Sequence, residues 1–416
     1  MPPWIYQHVP VAFFVFAFGA IVGSFINVVI YRVPAGMSVI TPPSRCPTCG
    51  ARLTWRENLP IIGWFLVGGR CKHCRVRISF QYVLIELTVA LMFLGLYLAY
   101  YVVGPSVTWF GAIGGDWWYY QGVFRSSPMF IAHLILLAAL VAMTVIDART
   151  FTIPIQIPMV VIVVGFAAAI IQPFVTPAPR AATGWPIVVA DWQWFTVALG
   201  GMLGIILSTT LLKLGVLRYS FADYDQYAKE GEIIADYPHA RREMGVELVF
   251  LAPCLVGLVV GYLVGAWLLP SSPPPTVIQS LGGAALGYLM GGGIIWGIRI
   301  VFSFIFSKEA MGLGDVHVLA AVGTVLGWVD PIFIFLLAPF SGLLWVVLSK
   351  GLAAMLKRGR RELPFGPHLA VAVLAVIVCR PAVIWVQTTY LPPGLRPPQP
   401  GLIQPAQPGP PVQPGP

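Results

Sequence analysis

Charged side chains are scarce in this chain, and carboxylates are the scarcer kind. Only 10% of the 416 residues are charged and 58% are hydrophobic, with 16 acids against 25 Lys and Arg. A soluble domain carries about 25% charged residues. The shortage excludes an ordinary soluble enzyme and predicts a polytopic membrane protein.

Long polar stretches are also few. A helix needs about 20 apolar residues to cross the hydrocarbon layer, and ten candidate spans follow from that criterion. They are about 9–31, 80–103, 129–146, 157–174, 194–216, 247–269, 278–303, 316–329, 332–350 and 365–387. The run at 316–329 is too short to cross untilted. We expect an all-α polytopic membrane protein, a helix bundle of about eight to ten transmembrane segments with a small cytoplasmic zinc-binding insertion.

The cations are concentrated in alternate loops. Of the 25 Lys and Arg, 20 fall within 32–77, 213–242 and 350–361 or at Arg149 and Lys308. The positive-inside rule places those loops in the cytoplasm and both termini outside. The net charge of +9 therefore predicts contact with membrane lipids and not with nucleic acid. Residues 1–34 are expected to form the first transmembrane anchor.

Two aspartates border apolar runs on the predicted cytoplasmic side. Asp147 ends the run at 129–146, and Asp315 closes the string MGLGD at 311–315. An acid at the edge of the hydrocarbon is costly and indicates function, and the two glycines let another chain approach closely. Two carboxylates brought together across a bundle can share a proton and activate water. The alternative is that each aspartate marks a helix end at the water interface.

Other functions compete with this one. No Ser-His or Cys-His arrangement stands out, and no glycine-rich nucleotide fingerprint is present in the sequence. Paired acids also suit a transporter that couples protons or cations, and a catalytically inactive assembly scaffold is a third possibility. Both aspartates are predicted at one face and not at the midplane, which argues against the transporter.

Cysteine is rare, yet four of the six cysteines form two C-x-x-C pairs separated by 21 residues: Cys46, Cys49, Cys71 and Cys74. Four thiolates at this spacing suit a tetrahedral zinc ion with no open coordination position, which indicates a structural metal. The segment 35–79 is too small to be stable on its own core, so the metal would supply folding free energy.

Several strings of this sequence resemble the type IV prepilin leader peptidases. GSFINVVIYRVP (23–34) and the cysteine segment resemble the N-terminal half of that family. IDARTFTIPIQIP (146–158) resembles its first catalytic aspartate motif. MGLGDVHVLAAVG (311–323) resembles its second, which intramembrane aspartic proteases share, and PFGPHLA (364–370) resembles a further family string. There are two departures: Ile155 replaces an aspartate common in the first motif, and His317 replaces a lysine common after the second.

The resemblance implies an aspartic endopeptidase of the bacterial inner membrane, with a transmembrane core at 80–390. Asp147 and Asp315 would be catalytic at the cytoplasmic face. The substrates would be prepilin-like or pseudopilin precursors, whose short basic leader is removed. S-adenosylmethionine-dependent N-methylation of the new N terminus is implied by family alone, and the residues that bind this cofactor are not identified.

Two further segments carry expectations. The loop 217–246 and its border hold seven acids within 25 residues, and we hypothesise that they help capture a basic leader. The alternative is a solvated insertion with no role. These acids are Asp223, Asp225, Glu230, Glu232, Asp236, Glu243 and Glu247. From Pro392 onward 11 of 25 residues are Pro, so 391–416 are expected to form a disordered tail.

Overall fold

A computed structural model of the protein describes residues 3–104, 112–176, 190–227, 237–268, 272–356 and 364–390. Those residues are organised as helices and connecting turns, and the only strand pairing in them is two isolated bridges. The predicted tail at 391–416 lies outside the described residues. The helices are α1 (Pro3–Arg32), α2 (Ile62–Leu66), α3 (Gln81–Tyr97), α4 (Gly115–Thr150), α5 (Gln156–Val175), α6 (Trp192–Lys213), α7 (Ala240–Leu268), α8 (Thr276–Phe306), α9 (Leu313–Leu326), α10 (Asp330–Leu356), α11 (Phe365–Val378) and α12 (Arg380–Tyr390).

Eight helices in the described ranges are long and apolar enough to cross a membrane: α1, α3 with its π-helical extension, α4 to α8, and α10. The expectation of an all-α bundle of about eight to ten segments is confirmed. One predicted span differs, because 365–387 is divided into α11 and α12, bent by 79°. The bend falls at Cys379, just before Arg380-Pro381. Proline lacks an N–H and disfavours helical backbone in the residue before it.

The helix α9 forms the centre of the bundle. It packs against α4, α5, α8, α10 and α11, and every side chain from Val318 to Leu326 is buried. Close packing on α8 depends on glycine: a Cβ added at Gly323 would lie 2.0 Å from the carbonyl oxygen of Gly287. Small residues allow such backbone approach between membrane helices, where packing and not water exclusion drives association.

The two ends of the bundle differ in what they hold. At one end α4 finishes and α9 starts; we call this the Asp147 end. The guanidinium of Arg149 donates to Gln81 Oε1 over 2.6 Å, so the start of α3 and the cysteine segment before it lie at this end. At the opposite end Arg380 forms an ion pair with the buried Asp330. The bundle therefore gathers its cysteine segment and both candidate aspartates at a single end.

Candidate functional site

Asp147 lies in the last turn of α4, where it is buried with 6% of its surface exposed. The helix stops three residues later, and Phe151 takes a left-handed conformation with φ of 54° while its N–H donates to the Asp147 carbonyl. The Gly366 N–H donates a hydrogen bond of 2.9 Å to Oδ2 of the side chain. The first turn of α11 therefore fixes the orientation of this carboxylate.

Gly366 is a site residue that the sequence reasoning did not identify. A Cβ added there would lie 2.6 Å from Asp147 Oδ2, closer than any real contact of this kind. Only glycine can present its N–H to the carboxylate at this distance without displacing it. The available signal was the string PFGPHLA, which contributed to the family resemblance but was given no role.

Asp315 lies in the first turn of α9 and is 7% exposed. Gly312 precedes the helix in extended conformation, and its carbonyl accepts from the Asp315 N–H over 3.2 Å. A Cβ added at Gly314 would lie 3.0 Å from the Cβ of Ile153, which lies in the connection that follows the Asp147 helix. The second glycine of the string therefore lets the two aspartate motifs pack directly against each other.

The structure places the two aspartates at the same end of the bundle, on helices that contact each other. Ile153, six residues after Asp147, packs against Gly314, which directly precedes Asp315, and both carboxylates are buried. Coulomb repulsion strengthens as the surroundings become less polar, so that ionising two neighbouring buried carboxylates at once is disfavoured. One proton shared between the two acids is compatible with this arrangement and stays a prediction.

A buried arginine lies behind the Asp315 loop. Arg299 of α8 is 2% exposed and carries an ion pair of 3.0 Å to Glu247 Oε1 of α7. Its Nη1 contacts Glu309 Oε1 at 2.6 Å and also donates to the Met311 carbonyl. The sequence showed only an arginine inside a predicted span, so this contact was missed.

Three of the seven acids assigned to leader capture are engaged elsewhere. Glu247 binds Arg299, and the buried Glu243 accepts from the Phe221 N–H over 2.9 Å and from Arg242 over 2.8 Å. Asp223 accepts from the Tyr237 hydroxyl over 2.7 Å, and this hydrogen bond holds the pKa of the Asp223 carboxyl below its ordinary range. Asp223 and Glu243 therefore bind partners within the segment itself, whereas Glu247 joins α7 to α8. Glu230, Glu232, Asp236 and the side chain of Asp225 lie outside the described residues.

The four predicted cysteines form one cluster. Their sulfur atoms all lie within 4.8 Å of one another, with Cys46 and Cys74 3.8 Å apart and Cys49 and Cys71 4.0 Å apart. Four sulfurs at about 2.3 Å from a tetrahedral zinc ion would be about 3.8 Å apart. The donor set and its spacing fit a tetrahedral zinc ion.

Both knuckles are built by the same backbone pattern. The Gly50 N–H donates to the Cys46 carbonyl over 2.9 Å, and the Arg75 N–H donates to the Cys71 carbonyl over 3.0 Å. Gly50 and Arg75 both have positive φ, of 70° and 59°. A left-handed residue directly after each second cysteine turns the chain back, which points both thiols of a knuckle toward the same centre.

The cysteine segment is attached to the bundle through Glu86 of α3. Its Oε2 accepts from the Ile61 N–H over 2.6 Å, and Ile61 has a positive φ of 62°. Gly23 of α1 packs against the Glu86 backbone, where an added Cβ would lie 2.6 Å from Cα. The acid inside this span thus has a backbone partner, and the string GSFINVVIYRVP supplies the close packing.

Comparison with known proteins finds two family matches. The model of the type IV leader peptidase family matches residues 246–347, and the bacterial peptidase A24 N-terminal domain matches 17–100. Over these two stretches the chain is similar to the type IV leader peptidase family. The two matches include Asp315 and all four cysteines of the cluster, whereas Asp147 lies between them.

Relatives in this family cover most of the chain. A type 4 prepilin-like proteins leader peptide-processing enzyme of Escherichia coli is 25% identical over 90% of the chain and 96% of its own length. A prepilin leader peptidase/N-methyltransferase of Aeromonas hydrophila is 22% identical over 94% of the chain and 96% of its own length. One from Myxococcus xanthus is 34% identical, over 38% of the chain and 40% of that relative. No solved structure matches the chain.

Proposed function

We propose that this multi-pass membrane protein is an aspartic endopeptidase that removes the short basic leader from type IV prepilin-like precursors. The observation that supports the proposal is that the carboxylates of Asp147 and Asp315 are both buried at the end of the bundle where α4 finishes and α9 starts. The family match at 246–347 supports it, as do the names of the relatives. These names favour a peptidase over the transporter.

The chemistry is general acid–base hydrolysis. One aspartate is ionised and removes a proton from water, whose oxygen attacks the scissile carbonyl carbon. The other is protonated and donates its proton to the carbonyl oxygen. The first aspartate then passes the proton taken from water to the departing amine, while the second regains a proton from a hydroxyl of the tetrahedral intermediate, so that the peptide C–N bond breaks. The N–H of Gly366 holds Asp147 in place throughout. Because the two carboxyl groups titrate as a coupled pair, the roles of acid and base are not assigned to one aspartate or the other.

We propose that the protein lies in a bacterial inner membrane and that its Asp147 end faces the cytoplasm. Of the 25 Lys and Arg, 20 lie in the loops that the positive-inside rule places there. The tie between Arg149 and Gln81 puts the cysteine-rich segment on the same side as Asp147. A basic leader would arrive at this face, with the apolar helix of the precursor remaining in the membrane.

The zinc ion is proposed to be structural. Cys46, Cys49, Cys71 and Cys74 would supply four thiolates, which leaves no position for a substrate. Zinc would therefore hold the segment folded against α3 and would take no part in hydrolysis. The hydrogen bond between Ile61 and Glu86 would then attach the folded segment to α3.

Methyl transfer from S-adenosylmethionine is proposed from the relatives' names alone. An apolar cavity of about 530 Å³ beside the Asp315 loop is lined by Ile298, Phe302, Phe306, Ala310, Met311 and Phe335. Those side chains offer no hydrogen-bonding partner for an adenosine or an amino acid group, so this cavity does not fit the cofactor. We derive no step of the methylation from it.

The proposal is tested by incubating the purified protein with a precursor that carries a short basic leader and an apolar helix. We expect mass spectrometry to show loss of the leader, and addition of one methyl group only when S-adenosylmethionine is supplied. Cleavage without methylation would support the proposed peptidase activity and contradict the proposed methyltransferase activity. An uncut precursor would contradict the proposal and favour the transporter or the inactive scaffold.

Gly366→Ala is expected to lower kcat for leader cleavage by about 10²-fold, the cost of moving a catalytic group by about 1 Å. The added Cβ would stand 2.6 Å from Asp147 Oδ2 and force the carboxylate aside. The matched control is Gly342→Ala in α10, whose Cβ would meet His368 at an ordinary 3.7 Å. Equal kcat values for the two variants in a peptide cleavage assay would contradict the role of Gly366.

A further inference from the structure

Arg299 makes more hydrogen bonds than the neutralisation of its charge requires. Its Nε and Nη2 reach Glu247 at 3.0–3.1 Å, and Nη1 reaches Glu309 at 2.6 Å. Trp296 donates its indole N–H to the same Glu247 over 2.8 Å, which orients that carboxylate. A buried arginine must be paired and hydrogen-bonded to be tolerated. The donation to the Met311 carbonyl is an addition that neutralises no charge.

The Met311 carbonyl belongs to the short loop that delivers Asp315. This loop, 307–312, connects α8 to α9, and side chains of α8 hold it: Nη1 of Arg299 binds Glu309 and the Met311 carbonyl, and Ser303 Oγ accepts from the Ala310 N–H over 2.9 Å. Directly after Met311 the chain passes through two glycines, which restrict the backbone least. Without a tether, the backbone before α9 would have the freedom to displace Asp315.

The other side of the guanidinium is covered by the polar segment between α6 and α7. Arg299 Cζ lies 5.1 Å from the centre of the Phe221 ring, within cation–π range. Phe221 has a positive φ of 54°, and its N–H is bound by the buried Glu243. The segment thus places an aromatic ring over Arg299 and closes it off from solvent.

We propose that Arg299 is a positioning residue for Asp315: it fixes the Met311 carbonyl, and with it the start of α9, while Phe221 caps the guanidinium. This inference rests on the proposed peptidase function. It assigns the segment 217–246 a role different from leader capture. The segment would act on the chemical step through Arg299, and its acids Glu243 and Asp223 would hold Phe221 in place.

The test is Arg299→Lys, because lysine keeps the charge but cannot bridge Glu247, Glu309 and the Met311 carbonyl at once. We expect kcat for leader cleavage to fall by about 10²-fold with KM nearly unchanged, since a displaced Asp315 affects the chemical step and not uniform binding. The two constants are measured with the purified protein and a precursor peptide. A purely structural role would lower the amount of folded protein and leave kcat per folded molecule unchanged.

The chain supplies a matched control in Arg380→Lys. Arg380 also pairs with a buried carboxylate, that of Asp330, but at the opposite end of the bundle. Its replacement should lower the melting temperature and leave kcat unchanged. An equal fall of kcat in both variants, or an unchanged kcat in Arg299→Lys, would overturn the proposal.

A second variant covers the case in which Arg299→Lys does not fold. Glu309 is partly exposed, at 31%, and its replacement leaves the pair between Arg299 and Glu247 intact. Because Glu309 belongs to the loop that Arg299 holds, Glu309→Gln should weaken that hold and lower kcat about tenfold at unchanged KM; an unchanged kcat would overturn the proposal. If the wild-type protein cuts no precursor, the proposed function fails. If it cuts and these variants cut equally well, only the positioning role fails.

Discussion

Asp147→Asn and Asp315→Asn are each expected to lower kcat for leader cleavage by about 10²–10⁴-fold, the usual contribution of a general acid or base. Asparagine keeps the size of the side chain and can still accept the hydrogen bond from the Gly366 N–H. It can neither remove a proton from water nor donate one as a carboxylic acid. The loss should therefore fall on chemistry, with the bundle still folded.

The measurement is the initial rate of precursor cleavage by equal amounts of purified protein. Asp116→Asn is the control, because Asp116 lies in the first turn of α4, at the opposite end of the helix that carries Asp147. It should cut at the wild-type rate. Near wild-type cleavage by either of the other two variants would refute the paired-aspartate mechanism.

Loss of zinc is the second large effect that we expect. The purified protein should contain one zinc ion per chain, and Cys71→Ser should remove it, since Cys71 is one of four sulfurs that lie within 4.8 Å of one another. A segment of about 45 residues buries too little surface to fold alone, so metal binding is a large part of its stability. Limited proteolysis should then cut the variant first between 35 and 79.

Elemental analysis and proteolysis of the same sample check this prediction. Cys254→Ser is the control, because Cys254 is buried in α7, outside the cluster. It should retain the metal and the wild-type cleavage pattern. A zinc-free wild-type protein, or an unchanged zinc content in Cys71→Ser, would show that the cluster is not a zinc site.

Local patterns in the sequence predicted the parts of the site that depend on composition. Hydropathy predicted the helices because a membrane span must bury its backbone hydrogen bonds in an apolar run of fixed length. The spacing of the cysteines predicted their cluster for a similar reason, since each knuckle is a local turn. The expectation that Asp147 pairs with Asp315 came from charge topology and from family resemblance, and it stays a prediction.

Contacts between distant segments could not be predicted in this way. Gly366 lies 219 positions from Asp147, and nothing in the local sequence indicates that a backbone N–H of α11 reaches that carboxylate. Glu243 looked like one of several solvated acids, yet it is fully buried. A run of acidic residues does not show whether their side chains face water or pair with arginines of the same segment. That depends on how the segment folds over α8.

The helix α9 is short, and its length affects how water, the second reactant, reaches a peptide bond that is cut at the membrane. Its 14 residues rise about 21 Å, about 9 Å less than the hydrocarbon thickness. Surrounding helices shield α9 from lipid, so the bilayer need not thin to match it. Part of the deficit is made up by irregular backbone at 307–312, which is tolerated at depth only beside protein or water. A reactant water could therefore enter along polar peptide groups, without crossing a layer of hydrocarbon.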